Sequence, residues 1–374
     1  MKTDGIGLYV HTPLCVKKCN YCDFCSYPAG EASWREEYIN TLCREIMSYG
    51  ERKVKLDTVF FGGGTPSLLT PREFDKICSA IDKSFSFSPE VEFTIEANPK
   101  TVTRENLSSY ISCGVNRISM GLQSIHENEL KILGRIHNFA DFLESYSLVR
   151  ECGIDNINID LMYGIPEQTR TSFSETIKTV TSLSPEHISL YGLILEPGTP
   201  FYQDREALPI PSEDEECAMY YLAIEELCNL GYSHYEISNY AKPGRECKHN
   251  LKYWENKEYV GVGVSAYSYF DGERYGNSSS IREYLSPDRE KYVSREKITQ
   301  SDKAYEYVML GLRLRHGISQ IEYKKLFNSD FVNEQRRTKL QELLALGYLT
   351  MTDDRIALTD KGFYISNKIL TDLI

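Results

Sequence analysis

The chain alternates short runs of β-branched and aromatic residues with longer stretches whose apolar positions recur every three or four residues. The short runs are Gly7–Val10, Thr58–Phe61, Glu92–Ile95, Arg117–Met120, Asn158–Leu161 and His187–Leu190, and they predict six strands. Between them Trp34–Tyr49, Arg72–Lys83, Asn138–Glu151 and Thr171–Ser182 carry the helical period. Strands alternating with helices build a parallel sheet. Crossovers of one hand arrange six such strands as an open doubly wound sheet or an incomplete (β/α) barrel. Periodicity does not choose between the two, and both put ligand sites in the loops after the strands' carboxyl ends.

Past about residue 205 the rhythm changes. Ser212–Leu230 reads as an acidic-to-apolar helix stopped by Gly231, and the aromatic-rich stretch Tyr232–Tyr275 reads as a lid or adjoining lobe. From about Ser301 helical patterns lead into a hairpin signal, Tyr348–Thr350 and Ile356–Leu358 joined through Thr352–Arg355. Helices with a two-stranded wing predict a small winged-helix-like domain. The expected organisation of this α/β chain is therefore a six-stranded partial barrel over 1–205, a following lobe over 206–300 and a carboxyl-terminal domain over 301–374.

A chain of 374 residues can bury a large core and still carry an appendage. With 42 basic against 54 acidic residues the net charge is -12, which gives no global attraction to a phosphate backbone and disfavours a nucleic-acid partner. The opening Met1–Gly5 lacks an apolar leader and nowhere do eighteen apolar residues run together. The expectation is a cytoplasmic protein with no integral membrane segment. In that compartment eleven cysteines do not form a disulfide framework. Cys15, Cys19, Cys22 and Cys25 crowd into one turn-rich segment after the first strand, whereas Cys43, Cys78, Cys113, Cys152, Cys217, Cys228 and Cys247 stand singly and read as small buried hydrophobes.

The spacing Cys15-x-x-x-Cys19-x-x-Cys22 can wrap three thiolates around one iron–sulfur cluster and leave a fourth iron open. Zinc is the competing metal. Structural zinc sites recruit a second Cys or His pair roughly twelve to twenty residues on, and here the next cysteine after Cys25, Cys43, stands alone in a predicted helix. Gly62-Gly63-Gly64-Thr65-Pro66 follows the second strand, where glycine allows close backbone approach; a tight turn into the next helix accounts for the same residues. Glu96 and Gln123 close the third and fourth strands and Asp160 lies in the fifth, facing the mouth. A buried carboxylate without a partner costs several kcal/mol, so a ligand or a basic partner such as Arg135 is expected. In His249-Asn250-Leu251-Lys252-Tyr253-Trp254 the imidazole can ligate heme iron, with Tyr253 and Trp254 against a porphyrin face; a packing motif with a hydrogen-bonded ring fits the same residues.

The cysteine motif, with Tyr21 before its last cysteine, resembles the radical S-adenosylmethionine (SAM) superfamily. The resemblance implies a [4Fe-4S] cluster on Cys15, Cys19 and Cys22 and SAM on the open iron, cleaved by an electron to methionine and a 5′-deoxyadenosyl radical. It places the glycine motif at SAM's amino group. It aligns Tyr9, Gly63, Gly64, Thr65, Glu96, Gln123, Arg135 and Asp160 with SAM-contacting positions of coproporphyrinogen dehydrogenases, which carry a second SAM site, and Tyr21 joins that cofactor-binding set. Within the superfamily Tyr235–Ala241, His249–Trp254 with its HNxxYW pattern, Gly261–Ala266 and Leu312–Leu314 are similar to the HemW family of heme chaperones, over nearly the whole chain. That likeness implies heme as a further ligand with His249 among its contacts, delivery of heme to an acceptor protein, and an electron donor such as flavodoxin or ferredoxin.

The alternative is an oxygen-independent coproporphyrinogen III dehydrogenase, which decarboxylates propionates by radical chemistry in porphyrin biosynthesis. Two features depart from it. Only fourteen residues precede Cys15, where dehydrogenases carry a longer extension, and Phe24 stands two residues after Cys22 where they carry a cysteine. Cys25, one position later, reads first as a spare thiol, with a cluster ligand in the absence of SAM or one half of an oxidation-sensitive pair as the alternatives. A radical SAM enzyme acting on RNA is the least favoured reading, given the acidic chain. No catalytic residue is assigned.

Overall fold

The computed structural model describes residues 5–373 apart from 32, 289 and 291, so the Met1–Asp4 part of the leader reading lies outside the described residues. All six anticipated strands form: β1 (Ile6–Thr12), β2 (Lys55–Gly63), β3 (Ser86–Ala97), β4 (Arg117–Gln123), β5 (Ile157–Tyr163) and β6 (His187–Gly192). They lie side by side in chain order, all parallel. One set of alternating side chains, including Ile118, Met120, Leu122, Ile157, Ile159 and Leu161, is fully buried in a core shared with Phe142, Val149, Phe173 and Ile177 of the crossover helices. Burial of each such side chain is worth about 1.5–3 kcal/mol.

The anticipated crossover helices occupy Arg35–Met47, Pro71–Ser84, Phe139–Glu151 and Arg170–Ser182. Two more, Arg104–Ser112 and Glu127–Ile132, are too short for their periodicity to register in the sequence. Thr70, Asn138 and Thr169 each start a helix with a reciprocal capping box, and Ser212 does the same for Glu213–Asn229.

The segment anticipated as a lid or lobe extends the same sheet at both edges. β7 (Ser233–Glu236), at the sheet edge, pairs antiparallel with β8 (Asn239–Ala241), which adds antiparallel to β6. The chain then crosses, through helix Lys248–Trp254, to the opposite edge. There β9 (Tyr259–Val262) pairs parallel with β1, and β10 (Tyr267–Phe270), β11 (Glu273–Gly276) and β12 (Ser294–Lys297) follow antiparallel. The sheet has twelve strands, and among the described residues no pairing joins its two ends. It is an incomplete barrel rather than a closed one.

Past β12, β13 (Ile318–Ser319), β14 (Leu349–Met351) and β15 (Arg355–Leu358) form a separate three-stranded sheet with the anticipated hairpin. Its own core joins Val308, Tyr323, Phe331, Leu340 and Ile356. Ile237 donates its N–H to Arg313 O at 3.0 Å and Arg315 donates to Tyr235 O at 3.0 Å, tying this unit to β7. Among the described residues no helix is long and apolar enough to cross a membrane.

Candidate functional site

The alternate side chains of the parallel strands point inward. Tyr9 and His11 of β1, Arg117, Ser119, Gly121 and Gln123 of β4, Asn158, Asp160 and Met162 of β5, and Ser189 and Tyr191 of β6 line one cavity of about 560 Å³. This is the two-residue strand period applied to a curled sheet, one face feeding the core and the other the interior. The cysteine loop, the glycine loop and His249 line the same cavity. The expected cluster cysteines, the SAM-contacting positions and His249 are therefore all on its wall.

The cysteine loop is fixed on both flanks. Cys15 sits in a two-residue parallel pair with Tyr27–Pro28. Asn20 donates its backbone N–H to Leu133 O at 3.0 Å and its side-chain amide to Ile132 O at 2.8 Å. Gly64 donates to Thr12 O at 2.8 Å and Thr65 to Leu14 O at 2.6 Å, so the glycine loop is laced to the strand that delivers Cys15. A Cβ on Gly64 would stand 2.6 Å from Leu14 O and 3.1 Å from Cys15 Sγ, and one on Gly63, whose φ is +109°, 2.6 Å from the His11 ring. Two glycines are thus required by close approach, beyond what a plain turn needs.

Cys15, Cys19 and Cys22 are free, half-buried thiols. All three line the cavity, and three thiolates from one short loop are the donor set of a cluster that keeps one iron open. Burial pushes the Cys22 thiol up to about 11, so loading with metal releases a proton there. Arg135 reaches the same loop, with Nη1 donating to Cys19 Sγ at 3.6 Å. Its other partners are Gly121 O at 2.6 Å and the Asn98 side-chain oxygen. Arg135 therefore does not pair with Glu96 or Asp160, as the sequence had led us to expect; its fork is taken by neutral oxygens and a thiol.

The carboxyls manage without it. Glu96 accepts the Gly63 N–H at 3.1 Å, and burial, reinforced by Asp160, pushes its carboxyl up to about 8. Asp160 accepts from Asn158 Nδ2 at 2.8 Å and Ser119 Oγ at 3.3 Å, and burial raises it too. A bulge in β4 beside Gly121 and a left-handed backbone at Gln123, with φ of 74°, re-aim the Gln123 amide. Its Oε1 is buried with no hydrogen-bond partner among the described residues. A neutral carboxyl, an orphaned amide oxygen, a glycine cradle and three thiols fit a cluster and a ligand bearing ammonium and hydroxyl groups.

His249 is 1 % exposed. Its Nδ1 shares a hydrogen bond with Thr58 Oγ1 at 2.8 Å and its Nε2 one with Tyr253 OH at 2.9 Å, while the ring stacks on Phe60 at 5.1 Å. Burial, helped by Lys252 and Arg117, lowers it to about 3, so the imidazole is neutral. Tyr253 faces the cavity, but Trp254 lies under Arg313, whose guanidinium is 5.6 Å from the ring centroid. The two aromatics do not form one porphyrin platform. Cys25 lies off the cavity and donates its thiol to Ser279 O at 3.3 Å.

Sequence reasoning missed His11, Asn98 and Arg117. His11 bridges Tyr9 OH at 3.0 Å and Cys25 O at 2.8 Å. Asn98 joins Arg135 to Thr65 Oγ1 at 3.2 Å. The alternation Arg117, Ser119, Gly121, Gln123 against Ile118, Met120, Leu122 was the available signal, because it separates the cavity face of β4 from its core face.

The Radical SAM superfamily model matches residues 9–180 and the HemN C-terminal domain model residues 298–365. The chain is 35% identical over 365 residues to a protein of Lactococcus lactis subsp. lactis named heme chaperone HemW, covering 96% of this chain and 95% of that one. To heme chaperone HemW of Bacillus subtilis it is 34% identical, covering 96% and 97%, and to that of Escherichia coli 33%, covering 99% and 98%. Among solved structures it superposes on the coproporphyrinogen III oxidase (HemN) of Escherichia coli, a radical SAM enzyme, with a TM-score of 0.87 over 99% of this chain and 90% of that one at 22% identity. That likeness is one of fold. The cysteine loop, the partial barrel and full-length relatives agree: the chain belongs to the radical SAM superfamily, within the family of the proteins named heme chaperone HemW.

Proposed function

We propose that the chain holds a [4Fe-4S] cluster on Cys15, Cys19 and Cys22, binds SAM beside it, and binds heme and passes it to an acceptor protein in the cytoplasm. The observation that carries this reading is convergence: the thiols, the glycine loop, the strand-end polar groups and His249 line one cavity. Held by Cys15, Cys19 and Cys22, such a cluster would supply one-electron chemistry to SAM, with flavodoxin or ferredoxin as the class of electron donor. The chain's own groups do the positioning. Gly63, Gly64 and Thr65 bring backbone to the ligand, neutral Glu96 and the Gln123 amide offer polar contacts, and Tyr9, Tyr21 and Asp160 complete the wall. Arg135 orients the Cys19 side of the loop. His249 would be the residue offered to heme, and freeing its Nε2 would need the Tyr253 hydroxyl to give up its bond there.

The test is anaerobic reconstitution followed by heme titration and by assay of coproporphyrinogen decarboxylation with SAM and a reductant. Stoichiometric heme binding with no turnover is expected. Repeated decarboxylation establishes the dehydrogenase reading instead. Cys19→Ser should abolish the cluster while leaving heme binding; a full cluster absorbance in that variant overturns the ligand assignment.

A further inference from the structure

Arg117 begins β4 and is among the largest fully buried side chains, at 2 % exposure. It lines the cavity in register with Thr94 of β3, which pairs with Phe60 of β2 and through it with Tyr9 of β1, below the loops that carry the cysteines. Its Nε has no hydrogen-bond partner among the described residues, although burial is more than offset by the nearby Cys247, Glu92, Tyr235 and Asp160, which hold the guanidinium charged. The negative and polar groups around it are engaged elsewhere. Glu92 accepts the N–H groups of Lys248 and His249, each at 3.0 Å, and the Cys247 thiol at 3.5 Å. Asp160 is held by Asn158 and Ser119, and Tyr235 OH by His187 Nε2 at 2.8 Å and the Cys247 N–H at 3.2 Å.

A buried guanidinium with no hydrogen-bonded counter-ion is expensive, and a fork of this kind matches a carboxylate bidentately. Phe60, Met162, Tyr191 and Leu193 share the cavity wall with it. An amphipathic ligand with an apolar body and an acidic edge fits a wall of that make-up. We propose that Arg117 is a carboxylate anchor at the base of the cavity, and that the group it anchors is a propionate of a tetrapyrrole. The proposal rests on the heme reading above. The other source of the same chemistry is the methionyl carboxylate of SAM.

The experiment titrates the reconstituted full chain, wild type and Arg117→Met, with heme, with heme dimethyl ester and with SAM. The wild type should bind heme about tenfold or more tightly than the ester, the loss of a charge-assisted hydrogen-bonded pair. Arg117→Met should abolish that preference and leave SAM affinity unchanged. Should that variant not fold, the wild-type comparison decides, and Arg117→Lys should retain part of the preference. Equal binding of heme and ester by wild type overturns the anchor and leaves the heme reading standing. A preference that survives in Arg117→Met also overturns it, and a loss of SAM affinity alone reassigns the anchor to SAM. Binding of neither porphyrin overturns both readings.

Discussion

Gly64→Ala probes the joint between the two loops of the site. The new Cβ would meet Leu14 O at 2.6 Å, Thr12 O at 3.0 Å and Cys15 Sγ at 3.1 Å. Two of these are backbone atoms that no rotamer change can move. Forcing a methyl into such a gap costs about 1–3 kcal/mol. If the glycine loop retreats instead, it weakens the bonds from Gly64 N to Thr12 O at 2.8 Å and Thr65 N to Leu14 O at 2.6 Å, each worth about 1 kcal/mol. Either route predicts a loss of about 2–3 kcal/mol and a displaced Cys15. Urea unfolding followed by circular dichroism reads the first effect, and iron and sulfide content after anaerobic reconstitution reads the second. Gly153→Ala is the control: its φ is also positive, at 91°, but nothing lies within 4 Å of the added carbon. It should lose stability through backbone strain alone, about 1–2 kcal/mol, and keep its cluster. A Gly64→Ala chain with wild-type midpoint and full iron content would show that the two loops are not joined through Gly64.

Glu96 makes a pH prediction. Its folded carboxyl keeps a proton to about 8 against an ordinary value of 4.5, so between those limits the native state binds more protons than the unfolded one. Its contribution to stability is fully present at the acid end and is lost as pH rises through that window. Glu96→Gln should flatten this part of the stability curve, and identical slopes in the two proteins would show that Glu96 is not the group responsible. His249→Ala removes the stack on Phe60 and the partner of the buried Thr58 hydroxyl, for about 2–4 kcal/mol. The same variant should shift the heme absorbance band while leaving the cluster spectrum intact; an unshifted band leaves His249 with a packing role only.

Much of the site was legible because its parts are local. The cysteine spacing, the glycine run and the six strands each occupy a few consecutive residues, and the strand-to-loop rule then brings them to one end of the sheet. What stayed hidden depends on long-range register. β9 pairs with β1 although about 250 residues of chain separate them, and strands of three or four residues such as β7 and β8 are too short for a period to register. Arg135 misled for a related reason. Its charge invited a carboxylate partner, yet the bulge in β4 and the Asn98 turn supply neutral oxygens first. Arg117 went unnoticed because an arginine at the start of an apolar strand looks like a surface flank until the curvature of the sheet turns that face inward.

In the proposed function one cavity serves the cluster and heme, and the protein carries heme rather than consuming its precursor. The decisive measurement is heme titration of the anaerobically reconstituted chain, run beside a coproporphyrinogen assay containing SAM and a low-potential reductant. A saturable heme spectrum at one equivalent is expected in protein with an intact cluster, with no decarboxylated product. Multiple turnovers of coproporphyrinogen without specific heme binding would contradict it.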